Sequence, residues 1–303
     1  MNKKGLIFIF FTAIISGFSI FINKYGVSGI DAYIFTFLKN LMVLLAFSGF
    51  VLLAREWRQL IKLTKQQWLM LVVIGLVGGG AAFLLFFKGL SLTSAAQGSL
   101  IHKSMFIYTM VLAAIFLREK IKKEMLIGAL LILAGNLIAL KTLHLSLNRG
   151  DLYVFLATLL WAAENVISKY ALKNISSKIV AWGRMFFGAI LILVFLAANG
   201  QLSLIGHLSF EQTLWIEITS FVLFGYMITW YSGLRYVPVS VAAAILLLGS
   251  PITTFLTFVS SGKISLGEIF SGGLIICGLS LILGYQIFLE RIKRYGDKIN
   301  VRS

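Results

Sequence analysis

Residues 68–87 read WLMLVVIGLVGGGAAFLLFF, twenty consecutive positions without a charge. At a rise of about 1.5 Å per residue, such a helix is about 30 Å long, the thickness of a bilayer's hydrocarbon core. Runs of the same kind lie on either side. Upstream are 6–22 and 33–54; downstream follow 93–117, 125–140, 152–171, 179–198, 213–234, 239–259 and 266–289. The pattern predicts an all-α integral membrane protein of ten transmembrane helices. The connections are short, and none has room for a soluble domain.

Composition agrees with that pattern. Apolar residues make up 59% of the 303, charged residues only 13%, and the mean hydropathy is +0.94. A soluble domain carries about 25% charged residues. Pro occurs twice against 28 Gly and 25 Phe, a balance suited to helices whose backbones approach closely in lipid. The net charge of +16 does not point to nucleic acid, because the cations sit in short clusters between apolar runs. Cys277 lies inside an apolar run and is expected to be an inert small core residue. Lys3-Lys4 ahead of 6–22 mimics a secretory leader. The apolar run is longer than a usual leader core and no A-x-A site follows, so it reads as an uncleaved first helix.

Lys and Arg set the expected orientation. With ten spans, nineteen of the 27 fall on the side of the N-terminus and five on the other. The remaining three, Lys39, Lys103 and Arg184, lie inside spans. Both termini are therefore expected in the cytoplasm, with the chain crossing the plasma membrane many times.

The chain also repeats itself. Laid 145 positions apart, Gly5 falls on Gly150, Asn23-Lys24-Tyr25 on Ser168-Lys169-Tyr170, and Ile34-Phe35-Thr36-Phe37-Leu38-Lys39 on Ile179-Val180-Ala181-Trp182-Gly183-Arg184. After one deleted residue, Gly89-Leu90 falls on Gly233-Leu234. The repeats are expected over 1–147 and 148–289, with a basic tail at 290–303. Five spans is an odd number, so the second copy enters the membrane from the opposite side. Inverted repeats are a recurrent device of secondary transporters.

Several stretches carry a family resemblance: Gly89-Leu90-Ser91-Leu92-Thr93-Ser94-Ala95-Ala96, Gly233-Leu234-Arg235-Tyr236-Val237-Pro238-Val239-Ser240, Ser250-Pro251, Phe116-Leu117-Arg118-Glu119-Lys120, and Ile127-Gly128-Ala129 with Ala134-Gly135. With them the chain resembles the drug/metabolite transporter superfamily in its EamA branch over nearly its whole length. It departs from the family pattern at Ile107, where a proline is usual, and at Lys263, where an acid is usual. The resemblance implies a central cavity between the repeats and alternating access without ATP.

Charges deep in a span face a cavity or a partner, because exposing them to lipid costs roughly 2.5–3.5 kcal/mol on insertion scales. Lys103 lies about 15 and 21 Å from the ends of its span at helical rise, with His102 before it and Ser99 and Ser104 on flanking arcs. It is expected either to meet a substrate carboxylate or phosphate or to pair with a buried acid. Glu164 is the obvious acid. Trp161, Glu164, Asn165 and Ser168 share one face of the sixth span, and Ser16, Ser19 and Asn23 form the equivalent stripe on the first. Three roles stand open for Glu164: receiving a substrate ammonium, carrying a coupling proton, or neutralising Lys103. Lys39 and Arg184, six residues into their spans, read as snorkelling structural cations. Tyr226, Thr229 and Trp230 share a face able to stack a planar substrate, and Tyr108 is a candidate cavity hydroxyl. Ser250-Pro251 is a candidate hinge, and Gly75 and Gly79 read as helix packing.

The expected function is therefore a secondary transporter of a small polar metabolite, an amino acid or similar zwitterion, moved outward. Carriage of organic anions or phosphorylated metabolites is the alternative. A membrane enzyme is disfavoured, since His102, His144 and His207 are scattered and no HExxH, G-x-S-x-G or Walker A motif occurs. No ring of like charges or filter-like loop suggests a channel. No cofactor is expected, and the partners are substrate, lipid and a coupling proton.

Overall fold

The computed structural model describes residues 2–121, 123–142, 148–206, 208–262 and 264–300. Ten long helices run through them: α1 (Lys3–Ser28), α2 (Ala32–Leu53), α3 (Lys65–Leu92), α4 (Ala95–Phe116), α5 (Lys123–Thr142), α6 (Arg149–Ala171), α7 (Ser177–Ala198), α8 (Phe210–Leu234), α9 (Val239–Ser261) and α10 (Leu266–Asn300). No strand occurs among the described residues. Eight of the ten, all but α5 and α10, are long and apolar enough over their described residues to cross a bilayer. His144, His207 and Lys263 lie outside the described residues, as do the side chains of Ser250 and of the basic tail from Arg291 on.

Helix starts are set by polar caps that hydropathy alone does not register. Thr64–Gln67, Asn148–Asp151 and Ser209–Gln212 each form a capping box. In such a box the first side chain accepts from the third residue's N–H, and that residue's side chain accepts in return. Each box adds one polar turn, so α3, α6 and α8 begin three residues before their apolar runs. Asp31 caps α2 by accepting from the N–H groups of Tyr33 and Ile34. α9 has Pro238 at its cap and no capping side chain of its own. Glu119, from the α4–α5 link, accepts instead from Val239 N–H at 2.8 Å and Ser240 N–H at 3.1 Å.

Packing between helices follows the repeat. α1 packs on α8 as α6 packs on α3; α1 on α9 as α6 on α4; α2 on α8 as α7 on α3. α2 with α7 and α5 with α10 are pairs that map onto themselves. Exchanging the halves maps these main helix pairs onto one another, as two inverted five-helix repeats require. Glycines permit the closest of these contacts. A Cβ on Gly150 would lie 2.8 Å from Gly89 O, and one on Gly233 would lie 3.0 Å from Gly5 O. These two seams are repeat equivalents, one at each membrane face.

The molecule is polar inside and apolar outside. Leu45, Leu53, Phe116, Phe210, Phe221 and Leu266 are exposed, while Lys39, Lys103, Asp151, Glu164 and Arg184 are buried. In water that arrangement would leave broad apolar faces unsatisfied; in lipid it is the expected one. Cys277 belongs to the outer surface. It is exposed on α10, which corrects its reading as a core residue, because hydropathy does not separate lipid-facing from buried positions.

Three helices are irregular near mid-span. α3 is wound as π-helix over Gly75–Ala81. α4 breaks between Lys103 and Met105, with Ser104 joining its halves. Its repeat equivalent α9 passes through a 3-10 turn at Leu246–Leu248, just before Pro251, which has no N–H to return to Leu247. Discontinuous helices at membrane depth occur where backbone is buried in protein or lines a cavity.

Candidate functional site

The two second-helix cations do not snorkel. Lys39 is 1% exposed and Arg184 4%, because both point toward the interior faces of α1 and α6 rather than along their own helices. Lys39 Nζ donates a short hydrogen bond to Asn23 Oδ1. Asn23 is held in turn, its Nδ2 donating to Ser19 Oγ at 2.9 Å and Ser19 O at 2.7 Å. The ammonium also lies 4.5 Å from the centroid of Phe87 and 5.5 Å from that of Phe35. Aromatic faces attract a cation, more so away from water.

Arg184 is the centre of a denser network. Its Nη1 lies 3.2 Å from Glu164 Oε2 and donates to Tyr231 OH at 3.1 Å, while Nη2 donates to Gly78 O at 3.1 Å. Glu164, fully buried, accepts from Tyr231 OH at 2.7 Å and, by a short bond, from Ser168 Oγ. A buried ion pair persists only when further hydrogen bonds satisfy its remaining lone pairs and protons. Tyr231 and Ser168 satisfy Glu164 Oε1 and the Gly78 carbonyl takes one guanidinium proton, while Arg184 Nε has no hydrogen-bond partner among the described residues.

Between these clusters lies a small cavity of about 70 Å³. Both repeats line it. Ser16, Ser19, Asn23 and Lys39 come from α1 and α2, Phe83, Phe86 and Phe87 from α3, and His102 and Met105 from α4. The second half adds Trp161, Asn165, Arg184, Leu223, Tyr226 and Met227. Trp161 Nε1 donates to Gly78 O at 2.8 Å. His102 sits between the rings of Phe86 and Trp161, at 5.4 and 5.1 Å, and its Nδ1 has no hydrogen-bond partner among the described residues.

Of the side chains singled out from sequence as substrate-binding, Ser16, Ser19, His102, Trp161, Asn165 and Tyr226 are on this wall. Four are not. Lys103 turns its Nζ to Ser16 Oγ, 2.6 Å away, in the seam where α1 meets Gly249. Among the described residues it meets no carboxylate, so the Lys103–Glu164 pair left open by the sequence is not formed. Glu164 stands behind Arg184, its ion-pair partner. Trp230 stacks behind Tyr226 at 6.2 Å, and Tyr108 packs edge-on against Phe155. Each of these four has the right depth, but the rotation of its helix points it elsewhere. Asn23, placed in the polar stripe of the first span, is on the wall as well; Lys39, Arg184, the three phenylalanines of α3 and the apolar Ile20, Met105, Leu223 and Met227 are cavity residues missed by sequence reasoning. The equal depth of Lys39 and Arg184 in the repeat was the available signal.

Comparison with known proteins bears on the whole chain. The model of the EamA-like transporter family matches residues 3–141 and again 148–284. A Bacillus subtilis (strain 168) protein described as "Uncharacterized transporter YyaM" is 27% identical over 240 residues, 75% of each chain. A Sinorhizobium protein described as "Uncharacterized transporter in cobO 3'region" is 27% identical over 115 residues, 38% of this chain and 81% of its own. A solved structure described only as "Crystal structure of protein" superposes with a TM-score of 0.74 at 17% identity, over 93% of this chain and 98% of its own; it speaks for the fold alone. One family match per five-helix half, each on the segment that the packing marks as a repeat, fixes the assignment: the chain belongs to the EamA-like transporter family.

Proposed function

We propose that this membrane transporter is a secondary carrier, and not an enzyme, that moves a small polar metabolite across the plasma membrane by alternating access. The observation that carries this reading is the buried cavity, walled by both repeats and lined by polar and aromatic side chains. Its entrances have matched parts. On the face where α1 ends, Lys24 Nζ donates to Leu90 O at 3.0 Å beside the Gly89–Gly150 seam. On the other face Lys169 Nζ donates to Leu234 O at 2.6 Å beside the Gly233–Gly5 seam. Equivalent closures of similar make-up favour two packings of similar energy, which alternating access needs. The excess of Lys and Arg on the side of the N-terminus supports cytoplasmic termini.

Two substrate readings follow from the wall. Glu164 is engaged by Arg184, so the charge left over in the cavity is positive, which favours an organic anion over a zwitterion. The aromatic faces of Phe86, Trp161 and Tyr226 keep the zwitterion reading in play, since such faces hold ammonium groups. Counterflow in liposomes tests the carrier reading. Purified protein, without ATP, is expected to exchange an internal for an external metabolite with saturation, and flux is read in both directions. Folded protein that gives no saturable exchange with amino acids, monocarboxylates or phosphate monoesters overturns it.

A further inference from the structure

We infer that Lys39 and Asn23 form the subsite for the anionic group of the transported molecule, and that the substrate is an organic anion with an apolar or aromatic body. This rests on the carrier reading and narrows its substrate class. The argument starts from the repeat. Ser19, Asn23 and Lys39 fall on Glu164, Ser168 and Arg184, each 145 positions later. The structure folds the two triads alike, with the second-helix cation turned onto the first-helix pair.

One triad is electrically complete and the other is not. In the second half Glu164 supplies the carboxylate that Arg184 needs. In the first half its place is taken by Ser19, whose Oγ already accepts from Asn23. Lys39 has no carboxylate within ion-pair distance among the described residues; its one side-chain hydrogen bond goes to Asn23 Oδ1. An ammonium has three N–H donors, so two remain. A buried cation calls for a counter-charge, and here the position for one opens on the cavity, since Ser19, Asn23 and Lys39 all line it. A bound carboxylate or phosphate oxygen would stand where Glu164 stands in the other half.

The remainder of the wall describes the body of that molecule. Phe86, Phe87, Trp161 and Tyr226 offer ring faces, and among the described residues no acidic side chain lines the cavity. A substrate ammonium finds no carboxylate there. Among the described residues Lys39 is the single ammonium on the wall, Lys103 being turned behind Ser16, which favours one negative charge over two.

Binding is followed by tryptophan fluorescence and thermal shift with four probes that share a ring: 3-phenylpropionate, phenyl phosphate, phenylalanine and 2-phenylethylamine. Wild type is expected to bind 3-phenylpropionate at least tenfold more tightly than 2-phenylethylamine, with phenyl phosphate between them. Tighter binding of phenyl phosphate would make phosphate the preferred oxyanion within the same subsite. Lys39→Gln is expected to weaken 3-phenylpropionate at least tenfold. Because Lys39→Gln also loses the bond to Asn23, Ser19→Glu is the decisive variant: it installs the missing carboxylate. It is expected to stay as thermostable as wild type and to bind the anion at least tenfold more weakly than Ser19→Gln. The same order is expected in counterflow for whatever metabolite is exchanged. A folded Ser19→Glu that binds or exchanges as well as Ser19→Gln overturns the subsite. Preference for the amine overturns the charge assignment and leaves the carrier standing. Absence of any saturable exchange removes the carrier reading itself.

Discussion

Lys24 and Lys169, repeat equivalents on α1 and α6, make the same bond at opposite membrane faces. Each ammonium donates to a carbonyl at the C-terminal end of a third helix, Leu90 O on α3 and Leu234 O on α8. Cations are favoured there because carbonyls at a helix's last turn lack intrahelical partners and carry the negative end of its dipole.

The two bonds are expected to hold opposite entrances closed. Lys24→Met and Lys169→Met should shift the balance of the two packings in opposite directions, each on the order of 1 kcal/mol, a several-fold change. Labelling a cysteine at Ser16 with a water-soluble maleimide, in a Cys277→Ser background and from each side of sealed vesicles, reads the balance. Shifts in the same direction would sink the idea.

Removing one partner of the Glu164–Arg184 pair leaves a buried charge alone. Glu164→Gln is expected to destabilise the protein by about 3–5 kcal/mol, whereas replacing both partners with apolar residues of similar volume costs much less. Unfolding of the two single variants and the double variant, set out as a thermodynamic cycle, measures the difference. A double-variant loss equal to the sum of the two single losses would mean that the pair is not coupled.

The glycine seams leave no room for a side chain. A valine at Gly150 meets the backbone of Gly89, which has no rotamer to yield, and a valine at Gly233 meets Gly5 in the same way. Each substitution is expected to cost about 1–3 kcal/mol as overpacking, seen as a lower melting temperature in detergent. Unchanged melting for Gly150→Val would refute the close approach.

Cys277 is expected to react in membranes with an apolar maleimide and to resist a charged one, since it is exposed on the apolar stretch Leu266–Ile282 of α10. With Cys277→Ser as background, a cysteine at Asn2 should be shielded from charged reagent in intact cells. One at Ser203, between α7 and α8, should react. The reverse pattern would invert the orientation.

Much of the architecture was legible because lipid allows few choices. Backbone groups must be satisfied internally, so apolar runs of span length become helices, and the i to i+145 matches reappear as packed contacts between the halves. Depth was legible too: Lys103 and Glu164, placed mid-span from sequence, are both buried. Azimuth was not. Lys103 is the deepest cation by count, but the break at Ser104 and the rotation of α4 turn it to Ser16. Lys39 and Arg184 sit near helix ends, where a long side chain can reach the interface, and only packing against α1 and α6 turns them inward. Gly75 and Gly79 suggested packing, and both do pack on α7, where Gly79 and Gly188 touch. The change of winding around them had no sequence signal of its own.

That change of winding reaches into the cavity wall. A π turn bonds each N–H five residues back and releases a carbonyl that an α turn would occupy. Gly78 O receives the indole of Trp161 and the guanidinium of Arg184, and Gly79 O receives the amide of Asn40 at 2.8 Å. Deleting one glycine here would let the coil tighten and retract the acceptors from all three donors together. The pitch of seven residues thus governs how a tryptophan, an arginine and an asparagine from three other helices are held, a dependence that no single side-chain substitution would expose.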